Sequence, residues 1–344
     1  MQRICTTLVK SGFDITLVGR KLNNSKPLEQ KMYKQKRLYC FFEKGFFFYA
    51  CYNICLSCWL LFQKIDIICA IDLDTILPCY FVSSFRRKTR VYDAHELFTE
   101  QKEIITRPLI HKVWLLIEKF AVPKFKYGYT VSESIANELR KRYKVQYDVI
   151  RNVPQKITFA KKKPAGKFIL YQGAVNEARG LENLIIAMKY VDAPLRIYGE
   201  GNIFERITAL VEKNNLENKV MIKGMLSPDF LRDITGSAYV GINLVEPIGL
   251  NQLYSLANKF FDYIQAGIPQ LTMNFPEYKK INEAFEVALL ADSVMVNEVV
   301  SKLNLLLNDT VLYERLKKNC IRAKEIFNWE NEEKKLIEFM NNIR

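Results

Sequence analysis

Residues 251–268, NQLYSLANKFFDYIQAGI, place a lysine and a carboxylate three positions apart on one helical stretch. Asn258 and Lys259 open that helix, where free backbone N–H groups and the positive end of the helix dipole attract phosphate, and Lys259 adds a full charge. Asp262 follows Lys259 by three positions, so both side chains face one side. Gly267 then stops the helix before the apolar stretch 268–273. Without any chemistry the same pattern is a solvated helix between two strands, so its neighbours decide the reading.

Those neighbours supply an anion site. Residues 167–171 (KFILY) form a short apolar strand, followed by the turn Gln172-Gly173-Ala174, then Glu177, Arg179 and Gly180, then the apolar-periodic helix LENLIIAM. A strand, a glycine turn and a helix start gather backbone N–H groups and the Arg179 guanidinium around one anion. Residues 195–198 (LRIY) run into Gly199-Glu200-Gly201, residues 219–223 end in Gly224, and residues 238–244 lead to Glu246-Pro247-Ile248-Gly249. A single Gly-x-Gly usually marks only a tight turn. Four strands that each end in a glycine-bearing loop say more, because open α/β sheets bind ligands at the carboxyl ends of their strands.

A second group of reactive residues lies in the first half. Asp93, His95 and Glu96 fall within four positions directly after a strand, and Asp72 and Asp74 follow the strand at residues 65–70. Carboxylates on both sides of His95 orient its imidazole and raise its pKa. His111, the other histidine, sits beside Trp114 in a helical pattern and reads as a helix-face residue.

The elements that position these residues alternate strand and helix twice over, which implies two doubly wound α/β domains. A chain of 344 residues, 49% hydrophobic, is long enough for two cores. The first half reads as a helix at residues 2–10, strands at 14–18 and 37–41, and a long apolar helix through Phe62. A strand at 65–70, a helix from Thr75, a strand at 89–92, a helix from Pro108, a strand at 127–130 and a helix capped by Ser132 follow. Arg151-Asn152-Val153-Pro154 breaks the pattern, and the run Lys161-Lys162-Lys163 precedes Pro164 and Gly166, placing a linker at residues 152–166. The expected domains are residues 1–157 and 165–326, with a helix at 327–344 crossing back to the first.

The stretches YQGAVNEARGLENLI, RIYGEG and ANKFFDYIQAGIP resemble those of the family 4 glycosyltransferases, retaining enzymes of the GT-B fold, in which two Rossmann-like domains face a cleft. The resemblance runs over nearly the whole chain. It implies transfer of a hexosyl group (EC 2.4 class) from a nucleotide-diphosphate sugar, which serves as co-substrate, with no metal or other cofactor. It also implies an acceptor-binding first domain and a donor-binding second one. Arg179 is implied to bind the diphosphate and Asp262 the ribose hydroxyls, with Gly173, Gly199, Gly201, Glu246, Asn258 and Lys259 completing the donor site. Two departures stand out. Eight positions before Asp262, where many members carry a glutamate, this chain has Tyr254, so Glu246 is the substitute carboxylate; and Ala174 stands where many members have an arginine. Some members carry their active-site histidine in the loop that here holds Ile71 and Asp72. His95, with Asp93 and Glu96, is accordingly the catalytic candidate, and Asp72 and Asp74 are acceptor-side candidates. The stretch QRICTTLVKSGFDITLVGR is similar to the family's first helix and second strand. The resemblance therefore implies that the first strand of the N-terminal sheet is missing and the chain truncated at its N-terminus.

Charge and cysteines bound the setting. The net charge is +14, and between Arg20 and Lys44 eight lysines and arginines face only Glu29 and Glu43. Beside them residues 45–63 carry no charge, which suggests a buried or interfacial helix rather than a spanning one. An anionic membrane surface bearing a glycan or lipid-linked acceptor fits this end, as in assembly of surface polysaccharide or lipopolysaccharide. Nucleic acid is not expected as a partner, because no recognised DNA or RNA module is present. A nucleotide-sugar epimerase or hydrolase of the same fold is the alternative. Seven of eight cysteines precede residue 80; Cys55-Leu-Ser-Cys58 lacks a second pair or a histidine, so no metal site is expected. Free thiols and the lack of a secretory signal point to the cytoplasm, with peripheral contact to the inner face of the cell membrane.

Overall fold

The computed structural model describes residues 1–23, 25–157 and 166–343. Most of the expected linker at 152–166, including Lys161, Lys162, Lys163 and Pro164, lies outside the described residues. The chain divides into two compact units, Met1–Arg151 with Glu332–Arg344, and Asn152–Asn331.

In the first unit the strands are β1 (Thr16–Lys21), β2 (Lys34–Tyr39), β3 (Ile67–Ile71), β4 (Thr89–Ala94), β5 (Tyr127–Thr130) and β6 (Asp148–Val149). They form two sheets among the described residues, β1-β2 and β3-β4-β5-β6, with every neighbouring pair parallel. The expectation that this unit lacks its first strand is not upheld. That strand is present as β1, which pairs with β2 along its whole length, Thr16 opposite Lys34 through Lys21 opposite Tyr39. The expectation took such a unit to need a central strand ahead of its first helix. The chain opens on the helix Gln2–Lys10, as its sequence indicates, and β1 pairs with β2, the Lys34 N–H reaching back to the Ile15 carbonyl at 2.9 Å. The edge at residues 14–18 is therefore not left bare. Gly128 lies at the centre of the four-stranded sheet, where a Cβ would stand 2.8 Å from the Tyr147 ring and from the Tyr92 carbonyl. The helix Trp329–Asn342 returns to this unit, where Glu332 accepts from the Arg151 N–H at 2.9 Å, Glu333 from the Thr7 hydroxyl at 2.8 Å, and Phe339 packs edge-on against Tyr129. No described helix is long and apolar enough to cross a membrane.

The second unit contains β7 (Ile169–Gln172), β8 (Leu195–Tyr198), β9 (Val220–Lys223), β10 (Val240–Asn243), β11 (Gln270–Met273) and β12 (Ala288–Ala291). Their order is β12-β11-β10-β7-β8-β9, all parallel, so the chain reverses direction across the sheet between β7 and β10. A crevice opens at such a reversal, beyond the carboxyl ends of the strands. The helix Asn258–Ala266 sits over it for a reason visible in its sequence. Phe260, Phe261, Tyr263 and Ile264 are fully buried, and each such side chain contributes about 1.5–3 kcal/mol by leaving water. Tyr263 packs where Gly241 has no side chain, since a Cβ there would lie 2.5 Å from the ring, and its hydroxyl donates to the Leu170 carbonyl at 3.0 Å. Gly267, left-handed at φ +71°, ends the helix, and the Ile268 N–H closes onto the Tyr263 carbonyl at 3.0 Å. The opposite side of the helix is thereby presented to the strand ends.

Candidate functional site

The second unit builds its site from two glycine loops pressed together. Gly173 follows β7 and Gly199 follows β8; a Cβ on Gly199 would stand 1.8 Å from the Gly173 carbonyl oxygen, so only glycine fits. The loops go on pairing beyond the strands, with Gly173 N–H to the Tyr198 carbonyl at 3.0 Å and Val175 N–H to the Glu200 carbonyl at 2.9 Å. Gly201 is equally confined, its notional Cβ 2.2 Å from the Val175 carbonyl.

Lys259 reaches this crossing from its helix. Its Nζ lies 3.7 Å from the centre of the Tyr171 ring and 3.6 Å from where a Cβ on Gly173 would be. The ammonium is buried and has no hydrogen-bond acceptor. Burial first, then repulsion from Arg179, drives its pKa well below the ordinary lysine value, and Asp262 offsets this only in part. Arg179 and Asp262 thus act on the same point. Arg179 precedes Gly180, which takes a left-handed turn at φ +63° into the helix Leu181–Ala187. Asp262 is fixed by a residue that sequence reasoning passed over. Gln172 donates to its carboxylate at 3.0 Å and in turn accepts from the Thr235 hydroxyl at 2.7 Å. Only its place directly before Gly173 could have singled Gln172 out. Glu246 joins through its backbone, its N–H bonding the Ala178 carbonyl at 2.9 Å beside Arg179. Asn258 is the first helical residue and is exposed.

The first unit collects Asp72, Asp74, Asp93, His95 and Glu96 at the carboxyl ends of β3 and β4. Asp93 is fully buried, holding the Tyr129 hydroxyl at 2.8 Å, with His95 Nε2 at 3.1 Å from its other oxygen. This is an ion-pair contact without hydrogen-bond alignment, and it sets Nε2 as the nitrogen that faces the Asp93 carboxylate. The Asp72 carboxylate accepts from the His95 N–H at 2.9 Å, and the Asp72 N–H bonds the Asp93 carbonyl at 2.9 Å. These bonds hold Asp72 at φ +53°, ψ −179°, a conformation an L-residue adopts only under constraint. Burial, with Glu96 and Asp93 adding negative charge, pushes the Asp72 pKa up to about 7 despite the opposing pull of His95. Asp74 is raised to about 6, chiefly by burial. For His95 burial acts downward, yet the Asp93 and Asp72 carboxylates outweigh it and raise the pKa. His111 belongs to the helix Pro108–Ala121, apart from this group in sequence and element.

The fold is that of the GT-B glycosyltransferases, built of two Rossmann-like units, and it is an enzyme fold consistent with sugar transfer. Residues 153–323 match the family described as glycosyl transferases group 1. Among solved structures, sucrose-phosphate synthase from Thermosynechococcus elongatus superposes with a TM-score of 0.80 at 17% identity, over 99% of this chain and 92% of its own. HepE from Anabaena in complex with UDP-glucose gives 0.74 at 12% identity, over 90% and 86%. WaaG, a glycosyltransferase of lipopolysaccharide biosynthesis, gives 0.68 at 14%, over 98% and 93%. No curated protein matches the chain in sequence. These superpositions also correct the expectation of an N-terminally truncated family 4 enzyme. They span the first unit together with the second, so the reading of a domain shortened by a strand is withdrawn.

The titrations in the first unit have a definite sign. Asp72 holds its proton to about pH 7 when folded but only to about 3.8 when unfolded, so its contribution to stability falls as pH rises through that interval. The stabilising part due to His95 is complete below its unfolded pKa of 6.5 and is lost as pH climbs through its raised folded value. The melting temperature should therefore fall between about pH 5 and 8, and Asp72→Asn should flatten that slope. A variant slope as steep as the wild-type one, followed by calorimetry, would show that Asp72 does not titrate in this way.

Proposed function

We propose that the protein transfers a hexosyl group from a nucleotide-diphosphate sugar to a glycan or lipid-linked acceptor, with retention of anomeric configuration. The observation that carries this reading is the buried, acceptor-free Lys259 ammonium between Arg179 and the glycine crossing. A buried cation without an anion is costly, and a diphosphate supplies the missing charge. As the bond between the anomeric carbon and the diphosphate oxygen breaks, negative charge grows on the leaving group, and Arg179 and Lys259 meet it with no reorganisation. Asp262, oriented by Gln172, accepts from hydroxyls of the nucleotide ribose; Gly173, Gly199 and Gly201 allow close backbone approach; Asn258 and Glu246 face the sugar-phosphate from either side. UDP-sugars are the first donors to try, because HepE was solved with UDP-glucose. Nothing in this scheme calls on a metal ion.

The histidine and carboxylate cluster serves the acceptor side, with residues 1–157 as acceptor domain and 165–326 as donor domain. His95 guides the acceptor hydroxyl and takes up its proton, Asp93 holds the imidazole, and Glu96, Asp72 and Asp74 surround the acceptor. The setting supports a bilayer-borne acceptor. The rings of Phe41, Phe42, Phe46 and Phe47 meet edge-on or tilted with centroids 5.4–5.7 Å apart while all four remain exposed. Arg20, lying over the Phe48 ring at 4.0 Å, and Lys44 flank them in the basic segment. Aromatic rings beside cations suit the headgroup layer of an anionic membrane, and the protein is proposed to dock peripherally from the cytoplasm.

Three outcomes test this. Arg179→Ala and Lys259→Ala should each weaken nucleoside-diphosphate binding by about 1.5–3 kcal/mol in calorimetric titration; wild-type affinity in both would sink the donor assignment. His95→Ala should lower turnover on the order of 100-fold with donor affinity nearly unchanged. If donor binding collapses instead, His95 does not act on the acceptor side. Sedimentation with anionic vesicles should show association at low salt that disappears at high salt, each nearby cation being worth about 1 kcal/mol. Failure to bind at low salt would remove the membrane from the scheme.

A further inference from the structure

The first unit gathers three thiols that neither site uses. Cys40 directly follows β2, and Cys51 and Cys55 stand one turn apart on the helix Gly45–Leu61, so both leave the same helix face. The three sulfur atoms lie within 4.8 Å of one another, and all are free thiols, Cys40 buried and the other two half-buried. Sequence spacing points instead to the pair Cys55 and Cys58, but Cys58 is exposed and stands outside the trio. Convergence of Cys40 with residues eleven and fifteen positions later depends on the reversal between β2 and the helix.

We propose that Cys40, Cys51 and Cys55 form a three-thiolate zinc site, with the fourth position open to solvent. Zinc–sulfur bonds of about 2.3 Å in tetrahedral geometry place sulfurs about 3.8 Å apart, so rotation of the side chains by less than an ångström at sulfur closes the present arrangement. Thiolates select thiophilic ions over magnesium or calcium. Charge selects further. Three thiolates with a divalent ion leave one net negative charge, whereas a monovalent ion such as Cu(I) leaves two, which is harder to keep out of water. Arg20, which acts on Cys40 as a nearby cation, offsets part of that remaining charge. Binding forms three zinc–sulfur bonds and releases three thiol protons to the buffer, with no change of oxidation state.

The ion would brace the fold, with water completing its tetrahedron. It staples the end of β2 to the helix that packs beside it, and β1-β2 is a two-stranded sheet, a form that is marginal by itself in water. None of the residues assigned to the donor belongs to this unit.

The test uses the full chain, prepared reduced and free of oxygen, titrated with cobalt(II) as a spectroscopic probe and then with zinc. One equivalent of cobalt should produce a sulfur-to-cobalt charge-transfer band in the near ultraviolet, which zinc abolishes, and zinc should raise the melting temperature. Cys51→Ser and Cys55→Ser should each weaken zinc binding at least tenfold, while Cys58→Ser should bind as the wild type does. Should a serine variant fail to fold, the wild-type titration still decides. Folded wild-type protein that yields no charge-transfer band, from a sample whose eight thiols all react once it is denatured, would overturn the site, and so would an equal loss on Cys58→Ser.

Discussion

The approach of Gly199 to the Gly173 carbonyl constrains everything at the strand ends of the second unit. At 1.8 Å from a notional Cβ there is no room for any side chain, so the two loops can touch only as bare backbone. Touching, they extend the β7–β8 ladder past the sheet and fix where Ala174, Val175 and Asn176 run. The Lys259 side chain fills the space that the absent Gly173 side chain leaves, with the Tyr171 ring as its floor. Its helix is held in place from below by Tyr263 on Gly241. Three glycines and two tyrosines thus decide where a single ammonium stands.

The two reactive groups of the chain are electrostatic opposites. In the second unit Lys259 loses proton affinity, first through burial and then through repulsion from Arg179, which Asp262 offsets only in part. In the first, carboxylates crowd one histidine, and Asp72 keeps a proton into the neutral range. Each arrangement costs folding stability when nothing is bound, and each is relieved by what it lacks: an anion in one case, a proton or a hydroxyl in the other. Neither could be maintained on a mobile loop. The first unit's group is mounted directly on the ends of β3 and β4, and the second unit's on a packed helix held over the ends of β7 and β8.

Much of this was legible in the sequence because glycine, helix stops and alternating apolar runs report backbone geometry directly. The turns at Gly173, Gly199 and Gly267, and the helix that carries Lys259 and Asp262, follow from local rules. What escaped was set by tertiary contact. Gln172 reads as an ordinary turn residue, yet it links Asp262 to Thr235 across the sheet. Nothing near Asp72 announces that a non-glycine residue is held at positive φ there. Cys40 is too far along the chain from Cys51 and Cys55 for spacing to unite them. The strand β12, only four residues long and pressed between two helices, has too little alternation to stand out. The expectation of a missing strand failed for a related reason: it took one order of elements as obligatory, whereas β1 pairs with β2 along its whole length.

The path of the chain through its two units also governs how it is made. The first unit is interrupted at Arg151 and resumes only at Glu332, and the two crossings run side by side, the Trp329 N–H bonded to the Pro154 carbonyl at 2.9 Å and Lys156 N–H to Glu330. During synthesis, residues 1–151 leave the ribosome long before the helix that covers Thr7 and Tyr129 exists. The second unit is continuous and can fold as soon as it emerges. The first must wait, with that surface exposed, until the final helix arrives. A nascent chain stalled after Asn331 has emerged but before the last helix has would therefore hold a finished second unit beside an unfinished first one, and the exposed surface of the first is what a chaperone would find.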